Sequence, residues 1–178
     1  ACADTFVQYS SEHFAAVPSD VGTRICVAYG EEDLYVGFLG HDSAPDSIVA
    51  RISAPDDVLW HDDILEIFID SDFDHRSYLH VGINSRGVVS DGWVEASVRA
   101  RDVRWDAAAS AAAFVGPDHW SVEYRLSLGQ QDVPRPRPGD LWGLNFVRVF
   151  RGTEYSQWVR TYVNGGHSPD DFGVLRFN

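Results

Sequence analysis

The 178-residue chain contains no lysine and no methionine, and only two cysteines. It also has no apolar run approaching the ~20 residues that a membrane-spanning helix needs. Without methionine or lysine, haem ligation by a methionine–histidine or methionine–lysine pair is excluded. All 14 basic residues are arginine, set against 27 acidic ones. The resulting net charge of −13 repels nucleic acid and anionic membrane surfaces and favours neutral or cationic ligands. The lack of lysine reads as genome composition or habitat rather than mechanism. With neither a methionine nor a signal-peptide pattern, the chain is expected to be a processed protein or an excised domain.

Cys2 and Cys26 allow one disulfide. Cys26 lies in the apolar run Ile25-Cys26-Val27, where a buried free thiol fits as well. Bridging depends on spatial distance, so both readings stand. Neither cysteine has zinc-site spacing, and the seven histidines show no pairing at the helical or ribbon spacing of such a site; they read as scattered and solvated. There is no phosphate loop, no Gly-x-Ser-x-Gly and no nucleophilic cysteine context. Glu66 and Glu123 are the carboxylates to weigh as a glycosidase couple, which needs a separation of roughly 5–10 Å. Nothing in the sequence places them together, and the chain is read as non-catalytic.

The length suits one domain spanning residues 1–178, burying roughly two-thirds of its unfolded surface. Short strands separated by turn chemistry fill it: Thr23–Ala28, Leu34–Leu39, Ser47–Ser53, Ile64–Asp70, Tyr78–Asn84, Val88–Val94, Ser97–Ala100, Trp120–Leu126, Leu141–Phe150, Gln157–Val163 and Phe172–Phe177. Tyr29–Asp33 is a hairpin turn between the first two. Asp106–Ala113 is alanine-rich but too short and unpatterned for a convincing helix. Pro134–Gly139 reads as an extended connector. This pattern predicts an all-β, antiparallel β-sandwich.

Glu66 is the residue that demands a reason. It interrupts a strand whose apolar side is Leu65, Ile67 and Ile69, and a carboxylate without partners is costly to desolvate. Either it faces a wet sheet surface, as in an ion pair with an arginine such as Arg148, or specific donors hold it. Beside an aromatic ring such as Trp60, it could supply the polar half of a sugar-binding platform.

Leu34-Tyr35-Val36 is followed by Trp60-x-Asp62-Asp63-x-x-Glu66-x-Phe68-x-Asp70, then Tyr78-x-x-Val81-x-Ile83-Asn84 with Gly87 beyond it. Trp120-x-x-Glu123, Gly143-x-Asn145-Phe146-x-Arg148 and Asp171-Phe172-Gly173-x-Leu175 complete the series. In this order the signals resemble the family 9 carbohydrate-binding modules. The resemblance implies a jelly-roll-like or immunoglobulin-like sandwich that stacks sugar on tryptophan and binds its hydroxyls through polar side chains. It maps the first tryptophan to Trp60, the glutamate to Glu66 and the neighbouring-strand amide to His80. The family's arginine falls on Gly82, and its second tryptophan on Gly166. Trp158 or His167 could replace that second ring, and Asn145 could assist at the hydroxyls.

The resemblance further implies structural calcium, for which Asp70, Asp72 and Asp74 offer alternating carboxylates, with Asp42 and Asp46 as lesser candidates. It also implies a secreted, extracellular or periplasmic module covalently linked to a glycoside hydrolase and tethering it to a plant polysaccharide or oligosaccharide. Two other readings stay open: a structural or protein-interaction sandwich with a degenerate sugar site, favoured by Gly82 and Gly166, and a haem-binding electron-transfer domain with bis-histidine ligation.

Overall fold

A computed structural model of the chain describes residues 1–10, 13–18, 22–152, 154–161 and 166–178. The smaller of its two sheets contains β1 (Cys2–Ala3), β4 (Thr23–Tyr29), β5 (Asp33–His41), β10 (Ala109–Val115) and β11 (His119–Ser127), in the order β1-β4-β5-β11-β10. The larger contains β2 (Val7–Ser10), β3 (His13–Pro18), β6 (Ile64–Asp70), β7 (Ser77–Asn84), β8 (Val89–Glu95), β9 (Ala100–Asp102), β12 (Leu141–Phe150) and β13 (Glu154–Gln157). Its order is β3-β2-β13-β12-β6-β7-β8-β9, and β14 (Gly173–Arg176) pairs with β12. Every pairing is antiparallel. There is no α-helix among the described residues. The fold is the antiparallel β-sandwich that the strand pattern predicts.

Period-two alternation builds the core between the sheets. Leu34, Val36 and Phe38 of β5 and Trp120, Val122, Tyr124 and Leu126 of β11 face Leu65, Ile67 and Ile69 of β6 and Leu79, Val81 and Ile83 of β7. Full burial of such side chains is worth roughly 1.5–3 kcal/mol each. Arg148 enters this interior from β12 and bonds the carbonyls of Gly22 and His41 and the Thr23 hydroxyl. It is therefore on the opposite face of the sheet from Glu66 and does not pair with it.

A second apolar layer, including Leu59, Ile64, Phe68, Tyr78, Val147 and Phe172, covers the outer face of the larger sheet. Its cover is loop, not sheet, and the two aspartates after Trp60 hold that loop down. Asp62 accepts the amides of Arg51 and Ile52 and the Asn84 side chain, while Asp63 accepts the amides of Val49 and Arg151.

Several local expectations are corrected. Ser47–Ser53 is not a strand: a short 3-10 turn, Pro45–Ser47, leads into the pinned loop. Ser97 to Arg99 turn between β8 and β9, with Arg99 at φ 49°. The strand expected over Gln157–Val163 ends at Gln157, and residues 162 and 163 lie outside the described residues. The alanine-rich stretch becomes β10, whose alternately half-buried Ala109, Ala111 and Ala113 pack on the core beside β11. Alanine has little preference for strands, so the ladder with β11 decides the matter. Strands β1 to β3 were not anticipated at all.

Cys2 lies opposite Cys26 in the β1–β4 register, and the two form a disulfide, settling the open alternative. It ties the chain terminus to the smaller sheet across a segment that detours through β2 and β3 in the larger one. Closing a loop of 24 residues' separation restricts the unfolded chain. Reduction, or replacement of both cysteines by serine, is expected to cost about 3 kcal/mol, read as a lower denaturant midpoint.

Candidate functional site

The outer face of the larger sheet gathers the polar groups. In the β6–β7 register Glu66 lies opposite Gly82 and Phe68 opposite His80, so Glu66 and His80 are diagonal neighbours on one face. His80 Nε2 is 2.8 Å from Glu66 Oε2. The His80 ring stacks on Phe68 at 4.5 Å and on Trp60 at 5.0 Å, with interplanar angles of 15° and 7°. His167 closes the cluster edge-on, 4.8 Å from the His80 ring and 5.2 Å from that of Phe68. Its Nδ1 is 2.7 Å from the Tyr78 hydroxyl.

Two glycines let this cluster close. A Cβ on Gly82 would stand 3.1 Å from the Trp60 ring, so Trp60 occupies the space that a side chain there would fill. Gly166 has φ +78°, a left-handed conformation suited to glycine, and a Cβ there would meet Val147 at 3.0 Å and Phe68 at 3.1 Å. The chain thereby comes down onto the sheet and delivers His167. The two departures from the family pattern are packing contacts in this protein.

Arg101 is a member that the sequence did not reveal. β9 places it opposite Val94, its guanidinium donates to Ser90 Oγ, and it lies 5.5 Å from the centroid of Trp60. Only the strand register brings it here. Tyr78 was visible in the motif as a strand residue, but its hydrogen bond to His167 depends on the tertiary fold.

Burial dominates the electrostatics. Glu66 and His80 are 5% and 2% exposed. Desolvation pushes the Glu66 carboxyl up to about 7, against which the fields of His167 and Arg101 pull it down. It drives His80 down to about 3, with Arg101 acting in the same direction. His167 falls to about 4, mainly by desolvation and secondarily through His80. The Glu66–His80 contact is thus a hydrogen bond to an uncharged imidazole rather than an ion pair, with both partners neutral below about pH 7. Whichever way its proton lies, His80 Nδ1 is buried without a hydrogen-bond partner.

The remaining candidates sit elsewhere. Asn145 shares the outer face but is fully buried, and its amide grips Val159 through both the backbone amide and carbonyl. Trp158 packs on Phe146 and across Gly173. Glu123 lies on the smaller sheet, exposed on its outer face, so the whole sandwich separates it from Glu66. Asp70, Asp72 and Asp74 bring carboxylate oxygens within 4.8 Å of one another. Asp70 accepts the amides of His75 and Asp74; burial raises its carboxyl above the usual range, and the neighbouring Asp72 adds to the rise. Asp42 instead binds Arg151 and caps the Ala44 amide.

No protein-family model matches this chain, and no curated protein matches it in sequence. Solved structures do. A family 9 carbohydrate-binding module from Caldicellulosiruptor kristjanssonii in complex with glucose has a TM-score of 0.68 at 19% identity, covering 90% of this chain and 78% of that one. A family 9 module from the same organism in complex with cellotriose scores 0.65 at 20% identity, covering 89% and 76%. A protein from Bacteroides uniformis, provisionally assigned to carbohydrate binding, scores 0.79 at 15% identity, covering 100% and 86%. The fold is that of the family 9 carbohydrate-binding modules.

The pH dependence of stability tests the burial of Glu66. A carboxyl raised from 4.5 to about 7 keeps its proton in the folded state while the unfolded chain releases it. Its contribution to stability therefore declines as pH rises from 4.5 and levels off above 7. Glu66→Gln removes that penalty, so the variant is expected to gain on the wild type by about 3 kcal/mol across this window. Paired chemical denaturation at pH 4.5, 6 and 8 reads the difference.

Proposed function

We propose that this chain is a non-catalytic carbohydrate-binding module whose sugar docks at the Trp60 rim of the larger sheet. The observation that carries the reading is the meeting of Trp60 with Glu66, His80, His167 and Arg101 on one face of a fold shared with sugar-bound modules. Pyranose C–H faces stack on an indole, and fixed acids, imidazoles and a guanidinium match equatorial hydroxyls. Trp60, His167 and Arg101 are half-buried and form the accessible edge, with Glu66 and His80 beneath them. Trp60 and the 166–167 segment must lift for a sugar to reach Glu66. Asn145 and Trp158 support the adjoining loop in this reading.

The disulfide suits an oxidising compartment, in keeping with secretion or export to the periplasm. A linked glycoside hydrolase would supply the catalysis, and the module would raise its effective concentration at the substrate. The Asp70, Asp72 and Asp74 loop suits structural calcium, an all-oxygen ion whose charge would offset the crowding of these carboxylates.

One observation favours a second reading, a structural or interaction sandwich: Glu66 and His80 already satisfy one another beneath Trp60, leaving little of either open to a ligand. Calorimetric titration with cello- and xylo-oligosaccharides separates the two. Saturable binding that falls at least fivefold in Trp60→Ala, the loss of about 1 kcal/mol of stacking, and fails in Glu66→Gln is expected of the sugar site. Absence of heat with every glycan means the second reading is correct. For calcium, EDTA is expected to lower the melting temperature of the wild type and leave Asp72→Asn unchanged; an unaltered wild-type melt removes that ion.

A further inference from the structure

We propose that Glu66, His80 and His167 together form a binding site for a divalent transition-metal ion of the Zn2+ class. One ligand atom from each residue lies within 4.8 Å of the others. Two imidazoles and a carboxylate are a donor set that zinc accepts in tetrahedral or open coordination. With bonds of about 2.0–2.2 Å, tetrahedral donors sit about 3.4 Å apart. Glu66 and His80 stand at 2.8 Å, so they part by about 0.6 Å to admit the ion and the remaining closure falls to His167. That residue belongs to the loop arm rather than to the sheet, which gives it room to adjust.

The surroundings favour an ion over a merely packed cluster. Tyr78 engages His167 through Nδ1, leaving Nε2 as its open donor and orienting the ring in the way outer-sphere partners orient metal-binding histidines. Phe68 and Trp60 wall the site with apolar rings. Arg101 is the opposing charge, but it is held by Ser90 and lies in the fields of Asp91 and Asp56, which offset it. The hard-oxygen loop of Asp70, Asp72 and Asp74 is a separate feature with a different preference. The inference does not depend on sugar binding, because no glycan takes part in it.

The test uses the whole chain, stripped with chelator and titrated with Zn2+ by calorimetry and with Co2+ by visible absorption. One equivalent of Zn2+ and the d–d bands of low-coordinate cobalt are expected. His167→Ala, which alters only the loop arm, is expected to lose the spectrum and most of the affinity. Tyr78→Phe, which removes only the outer-sphere hydrogen bond, is expected to weaken binding about 10-fold. His119→Ala, on β11 of the smaller sheet, is expected to bind as the wild type does. No binding of Zn2+ or Co2+ by the wild type overturns the proposal, as does binding that survives in His167→Ala, since the ion would then sit on other histidines. A failed glycan titration with positive zinc binding overturns only the sugar reading.

Discussion

β6 is buried along its whole length on both faces, and the rest of the molecule is arranged to meet that constraint. One face is satisfied by the opposing sheet through Leu65, Ile67 and Ile69. The other has no sheet to cover it, so loops must do so, and loops carry backbone polar groups that need partners once buried. Asp62, Asp63 and Asn145 supply those partners by binding backbone groups of the covering segments. The polar residues around β6 are in this sense the fastenings of a lid, and the polar cluster lies beneath it.

Glu66 is the cost of that arrangement and also its source of chemistry. A carboxyl in a strand buried on both faces is destabilising when charged, and burial answers by raising its proton affinity while His80 shares a hydrogen bond with it. Such a site is a poor source of stability but is primed to respond to a ligand that can take up or replace its proton. In the proposed readings a divalent cation would replace that proton on closing of His167, whereas a sugar reaching the site from the Trp60 rim would meet it only through hydrogen bonds.

Gly82 and Gly166 show how one fold can reach a different surface by subtraction. Removing a side chain from β7 lets Trp60 settle onto the sheet, and removing one ahead of His167 lets that loop descend onto Phe68. The result is a closed polar cluster on this face, with Arg101 arriving from β9. The sandwich scaffold itself does not change, in keeping with the separation between fold and site chemistry.

The alternation in β5, β6, β7, β11 and β12 was legible because each strand carries its own period-two pattern, and burial of one face is a property of local sequence. The resemblance likewise pointed to Trp60, Glu66, His80 and His167 as candidates, and the fold brings those four together. Other features had no local signal. An alanine run has no strand preference of its own, so β10 exists only because β11 offers it a ladder. The disulfide, the reach of Arg101 and the contact of His80 with His167 all join segments remote in the chain. Sequence alone determined the two-faced strands and set Glu66 on the side opposite Leu65, Ile67 and Ile69, with a wet or a buried setting both open. What Glu66 meets there was decided by tertiary structure, because hydrogen bonds and ligand geometry depend on distances that only packing sets.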